Sequence, residues 1–118
     1  GKIALITGSA GGIGKAIALK LANSGADILV NYFNSADEAE GLCEQIRNFG
    51  VRAFPFQANV ADSESVQKMI EFCQEQFGKI NILINNAASG VLKPALEMNL
   101  KNWRWCLEIN AFALNLIT

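Results

Sequence analysis

A glycine-rich turn near the start of the chain is the feature best suited to chemistry. The residues Thr7–Gly14 read TGSAGGIG, and they join an apolar, strand-like run, Lys2–Thr7, to a helical pattern over Ile13–Asn23. Such a turn lets the backbone pass close to an anion, and the N–H groups of the helix's first turn point towards that anion. The stretch therefore predicts a site for the pyrophosphate of a dinucleotide.

Three glycines of this turn have separate expected roles. Gly8 makes the tight turn, Gly12 admits the phosphates without a clash from a Cβ, and Gly14 lets the helix pack closely on the strand. The spacing T-G-x-x-x-G-x-G differs from the usual G-x-G-x-x-G, so a flexible turn without a ligand is the alternative at this point. A nucleoside triphosphatase loop is disfavoured because Ser9 and Ala16 occupy positions where that motif needs Gly and Ser or Thr.

The residue types that are missing narrow the chemistry further. The chain contains no histidine, which excludes a Ser-His-Asp site or a histidine-based metal site within these residues. Three cysteines are present, and none forms a C-x-x-C pair. Cys43 and Cys73 fall on apolar helix faces, so we interpret them as small buried hydrophobes in a reducing compartment. Without a histidine to activate it, a nucleophilic thiol is disfavoured.

Composition indicates one modest globular domain. The chain has 118 residues, of which 51% are hydrophobic and 18% charged, and its net charge is −1. The absence of a basic run argues against nucleic acid or a membrane surface as a partner. The apolar stretch 103–117 is too short to span a bilayer. No targeting signal is visible, and we predict a cytoplasmic protein.

Strand-like and helical patterns alternate along the chain. The strand-like runs are Ile3–Thr7, Ala26–Tyr32, Val51–Gln57 and Ile80–Asn85. Ser35 and Glu38 offer a capping box for the second helix, and Asp62 is a plausible N-cap for the third. This order predicts an α/β fold with a doubly wound parallel sheet and strand order 3-2-1-4. A ligand is expected at the carboxyl ends of the strands.

Three motifs in order resemble those of the short-chain dehydrogenase/reductase family. They are the loop Thr7–Gly14, the sequence NNAA at Asn85–Ala88, where Ala88 replaces the family's usual Gly, and Asn110 in a later helix. The resemblance covers essentially the whole chain and implies a Rossmann-type fold, with residues 1–118 as an incomplete NAD(P)-binding domain. It also implies that Asn110 helps to hold a water in a catalytic proton relay.

The resemblance places the remaining catalytic groups elsewhere. The family's Ser, Tyr and Lys are expected some tens of residues after Asn110, whereas the only tyrosine here is Tyr32, at the end of the second strand. We therefore expect this chain to be the N-terminal half of a longer enzyme and to be inactive alone. Downstream Tyr and Lys would indicate an enzyme, and their absence would indicate a non-catalytic NAD(P)-sensing regulator.

The cofactor contacts implied by the resemblance lie after each strand. They are Gly8, Ser9, Gly11, Gly12, Ile13, Gly14, Tyr32, Asn34, Ser35, Asn59, Val60, Asn86, Ala87 and Ala88. For Asn59 a simple turn role is an equal alternative. No acid precedes Asp37 after the second strand, so no carboxylate there would repel the 2′-phosphate of NADP. This favours NADP(H) over NAD(H), although the arginines that often bind that phosphate in the family are missing.

The segment Asn85–Pro94, with Trp103–Trp105 and Ile109–Ala111, is similar to the enoyl-acyl-carrier-protein reductase III branch of the family. The implied reaction is reduction of the C=C bond of an acyl thioester on acyl carrier protein, in fatty acid synthesis. The alternatives are a 3-oxoacyl-acyl-carrier-protein reductase or another alcohol dehydrogenase. The last helix is apolar on most faces, which predicts that it is buried and, by resemblance, that it forms a homodimer or homotetramer interface.

Overall fold

A computed structural model describes residues 1–87, 97 and 99–109. Strands and helices alternate along these residues, as the sequence predicts. In chain order they are β1 (Ile3–Ile6), α1 (Gly12–Asn23), β2 (Asp27–Tyr32), α2 (Ala36–Arg47), β3 (Ala53–Gln57), α3 (Ser63–Phe77), β4 (Ile82–Ile84) and α4 (Leu100–Leu107).

The four strands form one parallel sheet in the order β3-β2-β1-β4. β1 lies in the interior, where Leu5 is opposite Leu29 of β2 on one side and Leu83 of β4 on the other. All four strands therefore end at the same edge of the sheet. The predicted Rossmann-type strand order is confirmed.

Alternate residues of β1 enter two separate apolar layers, because successive side chains of a strand point to opposite faces. Ala4 and Ile6 pack with α1 and α2 residues that include Ala18 and Leu42. On the other face, Ile3 and Leu5 pack with residues of α3, among them Met69 and Cys73. This division places α1 and α2 on one face and α3 on the other, as a doubly wound fold requires.

The helix caps agree with the sequence at α3 but not at α2. The Asp62 carboxylate accepts a hydrogen bond from the Ser65 N–H at 3.3 Å, which confirms the predicted N-cap. Ser35 does precede α2, but its side chain makes no capping bond, so the predicted capping box is wrong. The Ser35 backbone has φ −106° and ψ 57°, away from the extended conformation usual at an N-cap.

The described part of α4 is less buried than its composition predicts. Leu100, Trp103 and Leu107 are all more than half exposed, whereas Trp105 packs against a small cluster that includes Val60 and Ile109. Within the described residues of the single chain Trp103 is therefore not buried, and its burial in an oligomer stays a prediction. Residues 110–118 lie outside the described range. Across the part of the chain that the structure describes, no helix has the length and apolar character needed to cross a membrane.

Candidate dinucleotide-binding site

A cavity of about 580 Å³ lies at the edge where the strands end. The loops that follow all four strands line it, together with Trp105 of α4 and Ile109, which comes shortly after α4. Ten of the residues predicted from the sequence line it, namely Gly8, Gly11, Ile13, Tyr32, Asn34, Ser35, Asn59, Val60, Asn86 and Ala87. The structure thus brings together most of the predicted contacts in one place.

The glycine loop packs too tightly for side chains at two of its positions. Gly8 has φ +62°, and a Cβ there would lie 2.9 Å from the Ala87 Cα. A Cβ at Gly14 would lie 2.7 Å from the Gly8 carbonyl oxygen and 2.6 Å from Asn86 Nδ2. These distances are below van der Waals contact, so the loop, α1 and the segment after β4 can approach this closely only because both residues are glycine.

The start of α1 is open towards an anion. Gly11 is its N-cap residue and has no side chain to occupy the first-turn N–H groups. A Cβ at Gly12 would meet no atom within 4 Å. The N–H groups of a helix's first turn lack intrahelical acceptors and carry the positive end of the helix dipole. The loop therefore provides open space beside N–H donors, which fits a pyrophosphate.

Thr7 and Asn86 fasten this loop to the segment after β4. The Thr7 hydroxyl oxygen accepts hydrogen bonds from the backbone N–H groups of Asn86 and Ala87, both at 3.0 Å. In return, the Asn86 amide donates to the carbonyl oxygens of Thr7 and Gly8, at 3.2 and 3.1 Å. Asn86 thus shapes the site as a structural bridge as well as lining the cavity.

Asn31 is a site residue that the sequence analysis missed. It is buried, and its side-chain oxygen accepts a hydrogen bond from the Gly8 N–H at 3.0 Å. Its amide donates to the Ala58 carbonyl oxygen at 3.3 Å. The signal available in the sequence is a polar residue that follows the apolar residues Ile28–Val30 near the end of the second strand-like run. Asn31 holds the glycine loop and the segment after β3 in register with β2.

Ser9 and Asn59 also stabilise the loops from within. Ser9 is fully buried and its hydroxyl donates to the Ile6 carbonyl oxygen at 2.9 Å, so its side chain does not line the cavity. The Asn59 side-chain oxygen accepts from the Ala61 N–H at 3.0 Å, which is the turn role considered from the sequence. Because Asn59 also lines the cavity, the turn and cofactor roles are compatible.

Glu38 is a second residue that sequence reasoning did not place at the site. It lies in the first turn of α2 and lines the cavity beside Gly11. A Cβ at Gly11 would lie 4.0 Å from Glu38 Oε2. The carboxylate assigned to a capping box thus faces the glycine loop instead, and only tertiary packing could reveal this.

The structure gives no cavity contact for the remaining candidate residues that it describes. Ala88 and Asn110 lie outside the described residues, and their roles stay predictions. Cys43 and Cys73 are buried free thiols in helices, as predicted. Burial raises the pKa of each thiol to about 11, so both are protonated and poor nucleophiles near neutral pH.

A parallel sheet of this order, with a glycine loop opening onto its carboxyl edge, defines a Rossmann-type dinucleotide-binding fold. The family model described as short chain dehydrogenase matches residues 2–118, and the chain belongs to this family. It is 45% identical over 104 residues to the 3-oxoacyl-[acyl-carrier-protein] reductase FabG of Staphylococcus epidermidis. The matched residues make up 88% of this chain and 42% of that protein. The chain thus spans less than half the length of this relative.

Solved structures of two related proteins superpose closely on the chain. A short chain dehydrogenase of Burkholderia cenocepacia, in complex with NADP, matches with a TM-score of 0.95 and 35% identity, covering 98% of this chain and 47% of that one. A 7α-hydroxysteroid dehydrogenase complexed with NADH and 7-oxo glycochenodeoxycholic acid matches with a TM-score of 0.92 and 34% identity, covering 99% and 45%. Proteins similar to this chain thus bind either nicotinamide dinucleotide.

Proposed function

We propose that this chain forms the cofactor-binding part of an NAD(P)(H)-dependent reductase of acyl thioesters carried on acyl carrier protein. The observation that carries the proposal is the cavity at the strand ends, where the uncapped start of α1 faces open space. Family membership and the relatives named 3-oxoacyl-[acyl-carrier-protein] reductase support it.

The residues present fit a dinucleotide. The N–H groups at the start of α1, around Gly12 and Ile13, would hold the pyrophosphate. Tyr32, Asn34 and Ser35 would lie along the adenosine ribose, because the residues after the second strand read that sugar in this fold. Asn59 and Val60 would meet the adenine. The bound cofactor would supply hydride, and the chain's own residues position it and exclude water.

The relatives' names favour a carbonyl substrate over an alkene. FabG-type relatives are named as 3-oxoacyl reductases, so we propose reduction of a 3-oxoacyl thioester as the reaction. Reduction of an enoyl thioester, predicted from Asn85–Pro94, stays a prediction. A second candidate substrate is an alcohol unrelated to fatty acids. It is supported by the 7α-hydroxysteroid dehydrogenase of Escherichia coli, which is 35% identical over 113 residues.

A proton donor must neutralise the alkoxide that develops during carbonyl reduction. Tyr32 is the only tyrosine among the 118 residues, and it lies at the adenosine side of the proposed site. We therefore propose that a Tyr and a Lys beyond residue 118 supply and tune the proton, and that Asn110 positions a water. The 118-residue polypeptide should then bind a dinucleotide and turn over nothing.

We also propose that the full-length protein is a cytoplasmic homodimer or homotetramer. Three apolar side chains of α4 support this, since Leu100, Trp103 and Leu107 are all exposed and recur at helical spacing. An exposed apolar stripe of this kind is typical of an interface. The preference for NADP(H) stays a prediction.

The test is a comparison of substrates with the full-length protein. Acetoacetyl, crotonyl and 7-oxosteroid substrates are each offered with NADPH and with NADH, and oxidation of the nicotinamide is followed by absorbance. We expect the acetoacetyl thioester to be reduced fastest. Faster reduction of the crotonyl thioester would establish the enoyl reductase instead, and dinucleotide binding without turnover of any substrate would support a regulator.

A further inference from the structure

Asn31 holds two of the loops that line the cavity. It lies near the end of β2 with only 2% of its surface exposed. Its Oδ1 accepts a hydrogen bond from the Gly8 N–H at 3.0 Å, and its backbone carbonyl oxygen accepts one from the Ser9 N–H at 3.0 Å. Its Nδ2 donates to the Ala58 carbonyl oxygen at 3.3 Å. One residue thus joins the glycine loop to the start of the segment that carries Asn59.

The surroundings of the Asn31 side chain suit an uncharged amide. Its Nδ2 also lies 3.4 Å from the carbonyl oxygens of Tyr32 and Phe56. Within the described residues, every hydrogen bond of this side chain is made with backbone atoms. The side chain must therefore accept on one atom and donate on the other, as an amide does. A carboxylate would face these carbonyl oxygens without a proton to donate, and an apolar side chain would leave the Gly8 N–H without this acceptor.

A dinucleotide must reach both of the loops that Asn31 joins. In this fold the pyrophosphate lies at the glycine loop, and the adenosine ribose is read at the end of the second strand. Loops that already hold the right separation spare the ligand the cost of ordering them. We propose that Asn31 is a positioning residue, whose side-chain amide fixes the glycine loop relative to the segment after β3 and so preorganises the site for a dinucleotide. This rests on the proposed function.

Asn31→Asp tests the need for an uncharged amide. The full-length protein is titrated by calorimetry with whichever of NAD⁺ and NADP⁺ the wild type binds more tightly. Burial beside carbonyl oxygens disfavours the charged form of the new carboxyl group, so its pKa should be raised, and the titrations are made at about pH 9 and about pH 5.5. At the higher pH the variant should bind on the order of tenfold more weakly than the wild type. At the lower pH the protonated group again donates a hydrogen bond, so most of this difference should disappear.

Asn31→Ala separates positioning from direct repulsion of the phosphates, because it removes both hydrogen-bonding groups and adds no charge. It should weaken binding by a similar factor at both pH values. Each titration is made well below the unfolding midpoint of the variant, where a loss of stability alone does not change the dissociation constant. A loss confined to Asn31→Asp would indicate direct repulsion and overturn the positioning role. Asn31→Ala decides alone if Asn31→Asp does not fold at the higher pH.

Asn81→Asp is the matched control. Asn81 is exposed at the opposite edge of the sheet, where its Oδ1 accepts a hydrogen bond from the Ile3 N–H at 2.9 Å. A carboxylate keeps this acceptor and adds the same charge, so binding should equal that of the wild type at both pH values. Wild-type affinity in Asn31→Ala, no recovery of folded Asn31→Asp at the lower pH, or the same pH-dependent loss in Asn81→Asp would each overturn the role of Asn31. Failure of the wild-type protein to bind either nucleotide would instead overturn the proposed function.

Discussion

Thr7 is the side chain that joins the loops after β1 and β4. It is fully buried, and its hydroxyl oxygen accepts two backbone hydrogen bonds, from Asn86 and Ala87. Thr7→Val keeps the shape but leaves both N–H groups without this acceptor, so we expect a loss of about 1–3 kcal/mol in the free energy of unfolding. Chemical denaturation measures this loss.

Thr7→Ser is the control for that substitution. It retains the hydroxyl and loses one methyl group, which should cost about 1 kcal/mol. Dinucleotide affinity should fall for Thr7→Val and be nearly kept for Thr7→Ser, since the loop contacts survive in the second variant. A larger loss for Thr7→Ser than for Thr7→Val would show that the methyl group, rather than the hydroxyl, stabilises this junction.

Gly11 is the residue at which we expect a substitution to change the proposed cofactor choice. An arginine here should tighten NADP(H) binding selectively, because it adds a charge-assisted contact to the 2′-phosphate. Glu38 Oε2 lies 4.0 Å from the Cβ position, so the new guanidinium also has a carboxylate to pair with. We therefore expect a modest gain for Gly11→Arg and a larger one when Glu38→Gln is added. Titration of each variant with NADH and with NADPH measures these gains. An unchanged preference between the two nucleotides in the double variant would contradict the placement of Gly11 near the 2′-phosphate.

At the scale of the element, Gly14 of α1 and Gly41 of α2 meet different packing constraints. A Cβ at Gly14 of α1 would lie within 2.8 Å of Ser9 Cα, whereas a Cβ at Gly41 of α2 would meet nothing within 4 Å. Gly14→Ala should destabilise the protein by about 1–3 kcal/mol through overpacking. Gly41→Ala should stabilise it by about 0.5–1 kcal/mol, because alanine is the better helix former.

Replacement of glycine by alanine is thus expected to lower stability in α1 and to raise it in α2. Thermal unfolding of the two variants measures both changes. Gly14→Ala should also weaken dinucleotide binding, since the loop must shift to admit the methyl group. Gly41→Ala should leave binding unchanged. Stabilisation by both substitutions would mean that the glycine loop relaxes freely around position 14.

The sequence predicted these elements well because their signals are local. Apolar periodicity located the strands and helices, and Asp62 indicated the start of α3. The roles of Glu38 and Asn31 were not predictable in this way. Glu38 matches a capping-box pattern, yet its carboxylate faces Gly11 across a tertiary contact. Asn31 binds Gly8 and Ala58, which are distant in sequence, so only the assembled sheet identifies these partners.

At the scale of the whole molecule, the two buried thiols make stability depend on pH. Burial raises the pKa of Cys43 and Cys73 to about 11, from an ordinary value of 9.0, so the folded state holds these protons more tightly than the unfolded state. Their contribution to stability is fully present below about pH 9 and is lost as the pH rises towards 11. Denaturation midpoints measured across this range should fall.

A double variant, Cys43→Ala with Cys73→Ala, is the control for this dependence. Its stability should fall less steeply over the same pH range, although the smaller side chains make it less stable at neutral pH. The folded wild-type protein should also react slowly with thiol reagents at these two positions. Identical pH profiles for the variant and the wild type would show that other groups determine the loss.

The bridge between Thr7 and Asn86 also sets an order of events during protein synthesis. These residues are 79 positions apart, so the glycine loop leaves the ribosome well before its partner. At elongation speeds of about 5–20 residues per second, the delay is about 4–16 s. During this interval the nascent chain has its glycine loop but not the segment that fastens it. The proposed nucleotide site therefore reaches its final geometry only after β4 has been translated and paired with β1.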